Sequence, residues 1–337
     1  MAYQVTLQPS GHGFAADDDQ TLLEAALDAG VHLPYGCRNG ACGACKAKVL
    51  EGSVDHGAAL DHALTPDERT QGLTLTCCAK AQSDVTLECR EASMESDIQP
   101  RMLPVRVEKL ERVAPDVVVM RLRLPASERL QFLAGQYVEF LMKDGSRRAF
   151  SIANAPQEDE FLEFHVRLVP GGKFTEYVFG AMKEKEILRI EGPHGNFHLD
   201  EFSDRPIVFL AGGTGFAPVK SMVEYMLHNR IARPIIIYWG ARDRSGLYLP
   251  ELPQRWAAEH PHIRYVPVLS EAGPDDAWEG RRGLVHAAAL EDRSDLSGFQ
   301  VYACGAPAMI DAARRDFCAR GLPPEQFFSD AFTYAPR

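Results

Sequence analysis

Hydrophobic and polar residues follow three different patterns along this 337-residue chain, and each pattern predicts a different kind of domain. The first stretch mixes strand and helix signals. Residues 2–7 and 12–15 alternate between apolar and polar side chains, which predicts a β-hairpin. Apolar positions over 22–27 then repeat with helical spacing, and Asp18 or Asp19 is the expected N-cap. The remaining short elements of this stretch are a strand and turn over 49–54, a helix over 61–69 and extended segments over 73–79 and 84–89.

The second pattern is dominated by β-structure. Short apolar-rich runs separated by Pro, Gly and Asp turns predict a barrel or a sandwich, with one short helix over 174–181 before the last strand. The predicted strands are 104–113, 116–124, 136–143, 147–154, 161–169 and 186–192.

The third pattern, after Arg205, alternates strands with helices. Such βα units predict a parallel sheet with helices on both faces. The predicted strands are 207–211, 235–239, 263–269 and 299–304, and the predicted helices are 218–229, 250–259, 283–290 and 306–320.

Composition limits the functional classes. A 45% hydrophobic and 25% charged content is ordinary for a globular protein, and no apolar run approaches the roughly 20 residues of a membrane span. The net charge of −11 argues against nucleic-acid binding. We therefore expect a soluble, cytoplasmic protein with no membrane or nucleic-acid partner.

The charge is concentrated in the first domain. Residues 1–92 hold 13 Asp and Glu against 6 Lys and Arg, a net of −7, whereas the rest holds 34 against 30, a net of −4. The acidic surface would suit docking to a basic face of an electron acceptor, or it simply keeps a small domain solvated.

Cysteines supply the strongest chemical signal. Cys37, Cys42 and Cys45 have C-x4-C-x2-C spacing, and Cys77 follows after 31 intervening residues. This is the plant-type pattern for a [2Fe–2S] cluster, and the glycines around these cysteines allow a tight loop. Zinc sites usually show paired C-x2-C sequences, a Rieske cluster needs two histidines, and a disulfide framework does not suit a cytosolic chain, so these alternatives are weaker.

Residues 1–92 resemble a plant-type ferredoxin domain, an α+β fold of the β-grasp type. Cys77 and Cys78 compete for the fourth ligand position, and the resemblance favours Cys77 because the segment from Cys77 to Val85 resembles the end of that family's cluster site. Residues 93–102 are polar and aperiodic, and we interpret them as a linker that is either flexible or fixed.

The rest of the chain resembles the ferredoxin-NADP reductase superfamily. This resemblance implies an antiparallel β-barrel flavin domain over 103–200 and an α/β doubly wound nucleotide domain over 201–337. The multi-domain chain would then bind FAD, with FMN not excluded, and NADH, with NADPH possible.

The resemblance assigns individual residues. Arg148-Ala149-Phe150-Ser151 matches the flavin motif, so that Arg148 would pair with the flavin phosphate, Phe150 would line the ring and Ser151 would bond near flavin N5. Gly172 and Thr175 would hold the flavin pyrophosphate at a helix start. Phe332 would cover the flavin ring or pack in the core.

The nucleotide residues are assigned in the same way. Gly212-Gly213-Thr214-Gly215-Phe216-Ala217-Pro218 resembles the superfamily's pyrophosphate motif, in which bare glycine backbone approaches the phosphates. Arg242 would contact the adenosine ribose or a 2′-phosphate, but Asp243 would repel the latter, which favours NADH. Cys304, followed by Gly305, would lie beside the nicotinamide.

The order of these motifs predicts an electron-transfer reductase, with Ser151 and Cys304 as catalytic residues. Electrons would pass from NADH to FAD, then to the [2Fe–2S] cluster, then to a partner protein. The domain order resembles the CDP-6-deoxy-Δ-3,4-glucoseen reductases, which reduce a dehydratase, and also the reductase components of aromatic-ring or alkane oxygenases. A non-catalytic redox or NADH sensor is the alternative from another class.

Overall fold

The computed structural model describes residues 2–29, 31, 33–35, 38–89, 98–125, 130–158, 160–201 and 203–333. The chain forms two compact units, Met1–Ile98 and Gln99–Arg337. Residues 93–97 of the predicted linker 93–102 lie outside the described residues, as do Gly36 and Cys37 of the cluster loop. The predicted linker ends too late, because the first strand of the second unit begins at Arg101.

The first unit is a five-stranded mixed sheet with a helix packed on it. The sheet order is β2-β1-β7-β3-β5, in which β1 and β7 are parallel and the other pairs are antiparallel. The elements are β1 Ala2–Gln8, β2 Gly13–Asp17, α1 Leu22–Asp28, β3 Lys46–Glu51, β4 Val54–Asp55, α2 Pro66–Thr70, β5 Leu73–Leu75, β6 Lys80–Ala81 and β7 Val85–Glu88. This arrangement confirms the predicted α+β domain.

Both helices of this unit begin at a capping box that charge alone does not predict. Thr21, and not Asp18 or Asp19, is the N-cap of α1, and its hydroxyl accepts from the Glu24 N–H while Glu24 accepts from the Thr21 N–H. Helix α2 is shorter than the predicted 61–69, because Thr65 caps a helix whose first residue is Pro66.

The second unit begins with a six-stranded antiparallel sheet of order β11-β10-β13-β8-β9-β12. Its elements are β8 Arg101–Ala114, β9 Val117–Arg123, β10 Tyr137–Leu141, β11 Arg147–Ser151, β12 Phe161–Arg167, α3 Lys173–Gly180 and β13 Ile187–His194. All six predicted strands and the helix are present, so the antiparallel flavin-type domain is confirmed.

A six-stranded parallel sheet of order β17-β16-β15-β14-β18-β19 completes this unit. Its elements are β14 Ile207–Gly212, α4 Phe216–His228, β15 Ile235–Ala241, α5 Glu251–Glu259, β16 Ile263–Leu269, β17 Arg281–Arg282, α6 Val285–Asp292, β18 Gln300–Gly305, α7 Pro307–Cys318 and β19 Phe327–Ala331. Strands β17 and β19 are additions to the prediction. The doubly wound α/β domain is confirmed.

The barrel and the nucleotide domain share apolar packing. The nucleotide core includes Val117, Ala134 and Phe197 from the barrel half, each buried against residues of the parallel sheet and α4. Two further cores lie inside the first unit and inside the barrel. Because apolar surface is buried across their boundary, the barrel and the nucleotide domain are held together by more than the chain connection.

Candidate functional site

Two of the described cysteines of the predicted cluster site lie close together. Cys45 and Cys77 are buried, Cys42 is half-buried, and the Sγ atoms of Cys45 and Cys77 are 3.2 Å apart. Gly40 and Gly43 have φ values of +77° and +73°, a backbone region that favours glycine. The thiol convergence and the tight loop fit a small iron–sulfur group.

Cys78 is close enough to deserve comparison with Cys77. Its Sγ lies 3.7 Å from the Cys77 Sγ, and a Cβ built on Gly40 would meet the Cys78 Sγ at 2.7 Å. Cys78 is half-buried against the cluster loop, whereas Cys77 is 8% exposed. The fourth-ligand assignment to Cys77 stays a prediction.

The predicted flavin motif forms β11, an edge strand of the barrel sheet. Arg148 donates to the carbonyl of Arg147 at 2.7 Å, and the Phe150 ring packs 5.6 Å from Phe140 and 5.1 Å from Phe174. Ser151 is only 6% exposed. The Phe150 ring thus belongs to an aromatic cluster of the barrel, and its contact with flavin stays a prediction.

Gly172 and Thr175 shape the loop that starts α3. The Thr175 hydroxyl accepts from the Val169 N–H at 3.1 Å, and a Cβ on Gly172 would meet that hydroxyl at 2.7 Å. The loop is therefore closed by its own hydrogen bonds, and Gly172 is required for its tightness. Glu176 accepts from the Gly171 N–H at 2.6 Å. Binding of the flavin pyrophosphate at this helix start stays a prediction.

Glycines at the carboxyl ends of β14 and β18 allow two main chains to meet. A Cβ on Gly215 would lie 2.1 Å from the carbonyl oxygen of Cys304, and a Cβ on Gly305 would lie 3.1 Å from the Gly212 Cα. Gly213 to Gly215 form a 3-10 turn that leads into α4. The turn therefore presents bare backbone at a helix N-terminus, where pyrophosphates bind in related folds.

The two predicted catalytic residues are joined by a third that the sequence did not indicate. The Ser151 Oγ lies 3.4 Å from the Asp330 Oδ2, and Asp330 faces Cys304 across the β18–β19 pair. Burial, reinforced by the charge of Asp330, raises the pKa of the Cys304 thiol well above its usual value. Cys304 therefore remains a neutral thiol beside a carboxyl group.

Arg167, at the end of β12, is a second residue that the motifs missed. Its Nη1 would lie 3.0 Å from a Cβ on Gly213, so its guanidinium lies against the glycine turn. Its Nε is 3.3 Å from the Asp116 Oδ2, but buried Nε and Nη2 have no hydrogen-bond partner among the described residues. A guanidinium with unused donors beside a glycine turn fits an anionic ligand.

Arg242 is exposed at the end of β15, and its carbonyl accepts from the Glu271 N–H at 2.8 Å. Asp243 accepts from the Ser245 hydroxyl at 2.6 Å and caps the short 3-10 turn that follows. The Ser245 bond lowers the pKa of Asp243, which is therefore ionised at neutral pH. A negative charge at this place disfavours a second phosphate.

The remaining predicted residues lie near the same sheet edge. Thr214 is in the 3-10 turn, Pro218 is buried in α4, and the Phe332 N–H donates to the Gly305 carbonyl at 2.8 Å. Phe332 is partly buried against the nucleotide core, which accounts for its packing and leaves the flavin contact a prediction.

One acidic cluster of the barrel has the composition of a cation site. Oxygen and nitrogen atoms of Glu139, Glu191 and His194 lie within 4.8 Å of one another. Arg147 already pairs with both carboxylates, at 2.8 and 3.0 Å. The arginine neutralises the cluster, so we assign no metal there.

Among the described helices, none is long and apolar enough to cross a membrane.

Comparisons with known proteins match the three patterns one by one. Residues 5–82 match the 2Fe-2S iron-sulfur cluster binding domain, 104–199 the oxidoreductase FAD-binding domain and 209–315 the oxidoreductase NAD-binding domain. The chain is 46% identical over 332 residues to the CDP-6-deoxy-L-threo-D-glycero-4-hexulose-3-dehydrase reductase of Yersinia pseudotuberculosis, with 98% of this chain and 99% of that protein covered. The chain belongs to the iron–sulfur flavoprotein reductases.

Other members of this reductase family are similar over their whole length. The reductase component DmpP of phenol 2-monooxygenase from Pseudomonas sp. is 38% identical, covering 98% of this chain and 95% of that protein. The crystal structure of the Amycolatopsis cytochrome P450 reductase GcoB is 36% identical with a TM-score of 0.80, covering 98% of this chain and 99% of that one.

This reductase is thus an oxidoreductase with domains for a [2Fe–2S] cluster, FAD and NAD, as the sequence predicted. When bound, the flavin accepts a hydride and releases electrons singly, and the cluster carries one electron at a time. Ser151 of the barrel meets Asp330 of the nucleotide domain, and the buried Cys304 thiol opposite Asp330 is neutral. The contacts of these residues and of the glycine turn with flavin and nucleotide stay predictions.

Proposed function

We propose that this reductase uses NADH to supply single electrons to a CDP-6-deoxy-hexulose 3-dehydrase. The observation that carries the proposal is the 46% identity to the Yersinia reductase named for that enzyme, compared with 38% to the phenol monooxygenase reductase, at nearly full coverage of both. The second candidate acceptor is an oxygenase, favoured by the TM-score of 0.80 to the cytochrome P450 reductase.

In this proposal the four cysteines Cys37, Cys42, Cys45 and Cys77 hold the cluster. The flavin is held by the β11 strand and the α3 loop, and the nucleotide by the glycine turn and the ends of β15 and β18. The domains follow the predicted boundaries, and the protein works in the cytoplasm, where a nicotinamide donor is available. Ionised Asp243 supports NADH over NADPH.

The surface beside the cluster loop suits a docked electron acceptor. Leu60, whose N–H donates to the Gly40 carbonyl at 3.1 Å, is 47% exposed. The neighbouring Asp61 side chain is 86% exposed, and Asp55 is exposed too. Arg69 lies 3.6 Å from Asp61, so charges of both signs lie near Leu60, and it is the net charge of −7 over residues 1–92 that favours an acceptor with an apolar centre and a basic rim.

The test is a reconstitution with two acceptors, in which only the dehydrase mixture is kept anaerobic. We expect NADH oxidation to require both the CDP-6-deoxy-hexulose 3-dehydrase of Yersinia pseudotuberculosis and its CDP-sugar substrate, with the sugar product measured by chromatography. In parallel, the phenol 2-monooxygenase hydroxylase from Pseudomonas sp. is supplied with phenol and oxygen. Phenol hydroxylation without sugar turnover would replace the dehydrase by an oxygenase as acceptor. Reduction of cytochrome c in both mixtures reports that the reductase itself is active.

We expect Arg167→Gln to weaken nucleotide binding while sparing the cluster. The substitution removes a guanidinium whose unused donors face the Gly213 turn, and charge-assisted hydrogen bonds to phosphate are worth about 1.5–3 kcal/mol. The KM for NADH should therefore rise by roughly 10- to 100-fold with a smaller change in kcat. Arg123→Gln is a control, because Arg123 is on β9 and pairs with Glu108 instead. An unchanged KM in Arg167→Gln would remove Arg167 from the nucleotide site.

A further inference from the structure

A buried polar chain crosses from the barrel to the nucleotide domain. His165, on β12, has a fully buried side chain, and its Nδ1 is 2.8 Å from the Tyr248 hydroxyl. Tyr248 follows the 3-10 turn after β15 and is 6% exposed. This hydrogen bond joins residues that are 83 positions apart and belong to different domains.

Glu163 fixes the direction of this chain. The His165 Nε2 lies 3.4 Å from the Glu163 Oε1, and an ionised carboxylate only accepts hydrogen bonds. Burial alone would raise the pKa of Glu163, but the His165 bond and the Lys220 charge outweigh it and hold that pKa below its usual range. The Nε2 of neutral His165 therefore carries the proton, and its Nδ1 accepts from the Tyr248 O–H.

Cations from both domains keep Glu163 ionised. Arg121 of the barrel lies 3.0 Å from the Glu163 carboxylate, and Lys220 of α4 lies 3.1 Å from it. Lys220 also pairs with Glu224 at 2.8 Å, and the two carboxylates raise its pKa against the effect of burial. Burial lowers the pKa of His165, so the imidazole is neutral near pH 7.

The other side of Tyr248 reaches the glycine turn. Its ring packs edge-on against Trp239 at 5.1 Å, and the Trp239 Nε1–H donates to the Gly213 carbonyl at 2.9 Å. The Phe216 ring stacks on the Trp239 ring, with the two ring centroids 3.9 Å apart. The position of Gly213 thus depends on an indole that is held from one side by Tyr248.

We propose that Tyr248, held by His165, is a positioning residue that aligns the Gly213 turn with the flavin barrel for hydride transfer. In this proposal Tyr248 acts through its ring contact with Trp239. The same strand that carries His165 ends in Arg167, which lies against Gly213. Two contacts from β12 therefore fix one turn, and reactions of bound partners are sensitive to such placement. The proposal concerns the step from nucleotide to flavin and does not depend on the final acceptor.

The test compares two buried tyrosines in the holoenzyme. Tyr248→Phe removes the O–H that donates to His165. Tyr238→Phe is the matched control, because Tyr238 is also buried, lies on β15 beside Trp239 and donates to Asp292 at 3.0 Å. Flavin bleaching is followed in single turnovers over a range of NADH concentrations, so that the limiting rate constant is separated from the apparent NADH affinity.

We expect Tyr248→Phe to lower the limiting rate constant about tenfold, since a misplacement of about 1 Å can cost up to 10²-fold. Tyr238→Phe should leave it unchanged. Deuterium exchange followed by mass spectrometry gives a readout without turnover: peptides from the 207–220 region should exchange faster in Tyr248→Phe alone. An unchanged rate constant in Tyr248→Phe, or an equal decrease in both variants, overturns the proposal.

A double-mutant cycle tests the route of the effect. If Tyr248 acts through its bond to His165, His165→Phe combined with Tyr248→Phe should be no slower than the slower single variant. Multiplicative losses would contradict a shared route. Should His165→Phe fail to fold, the exchange and rate data for Tyr248→Phe decide alone.

Discussion

Replacing Cys77 by alanine is expected to abolish electron delivery from this reductase to any protein acceptor. Loss of outer-shell partners of a metal typically costs about 10–100-fold in affinity or activity, so loss of a thiolate ligand should cost more than about 100-fold. Cys77 is buried, with its Sγ 3.2 Å from that of Cys45 and 3.7 Å from that of Cys78, so Cys78 is the neighbouring cysteine that could replace it as a ligand. Visible absorbance and iron content measure the loss of the cluster, and cytochrome c reduction measures the electron output.

Cys78→Ala is the matched control for this prediction. It removes a neighbouring sulfur, 3.7 Å from the Cys77 Sγ, and should keep both the cluster and the output. NADH should still bleach the flavin in both variants, because the predicted flavin and nucleotide residues belong to the Gln99–Arg337 unit. If Cys78→Ala loses the iron and Cys77→Ala keeps it, the fourth ligand is Cys78.

Gly215→Ala is expected to lower the rate of flavin reduction by NADH about 100-fold. The added Cβ would lie 2.1 Å from the Cys304 carbonyl oxygen and 2.6 Å from its carbon, and β18 is held on both sides by β14 and β19. The two strand ends must therefore separate, which shifts the glycine turn relative to Cys304. The free energy of unfolding should fall by about 1–3 kcal/mol, as for other overpacked sites.

Gly180→Ala separates this effect from a general cost of adding a methyl group. Gly180 ends α3 and has no atom within 4 Å of a built Cβ, so the rate and the stability should change little. Stopped-flow flavin bleaching and urea unfolding give the two quantities, and dithionite reduction shows that the flavin is bound. A Gly215→Ala enzyme that bleaches at the normal rate would show that the strand ends do not need this contact.

Local sequence patterns were sufficient for most elements. The apolar runs of β14 and β15 are almost entirely buried, so their identity as parallel strands was readable from the sequence, whereas β16 includes the exposed Arg264. Strand β19 was missed because it is short and gains its hydrogen bonds from β18, more than twenty positions earlier. The predicted N-cap of α1, Asp18 or Asp19, was wrong because it was based on residue type alone. Thr21 and Glu24 carry the capping-box spacing.

The residues of the candidate site also fall into two groups, those within a continuous motif and those that tertiary packing brings together. The cysteine loop and the glycine turn are continuous motifs, so the sequence predicted them directly. Asp330 and Arg167 have no motif of their own: Asp330 meets Ser151 across 179 positions, and Arg167 meets Gly213 only when β12 packs beside the turn. Tyr248 and His165 are similar, since their bond exists only where two domains touch. Such residues depend on tertiary packing that no local spacing encodes.

The strand β12 also determines where this reductase can be recombined with its relatives. One face of that strand carries Glu163, His165 and Arg167, which occupy every second position. The following domain supplies the partner of each, namely Lys220, Tyr248 and Gly213. A chimera joined between the barrel and the parallel sheet would inherit each set from a different parent. If the other parent lacks a lysine at position 220, exchanging the nucleotide half alone would leave the buried Glu163 carboxylate without Lys220, whereas a crossover that carries β12, α4 and the Tyr248 segment from one parent keeps these contacts together.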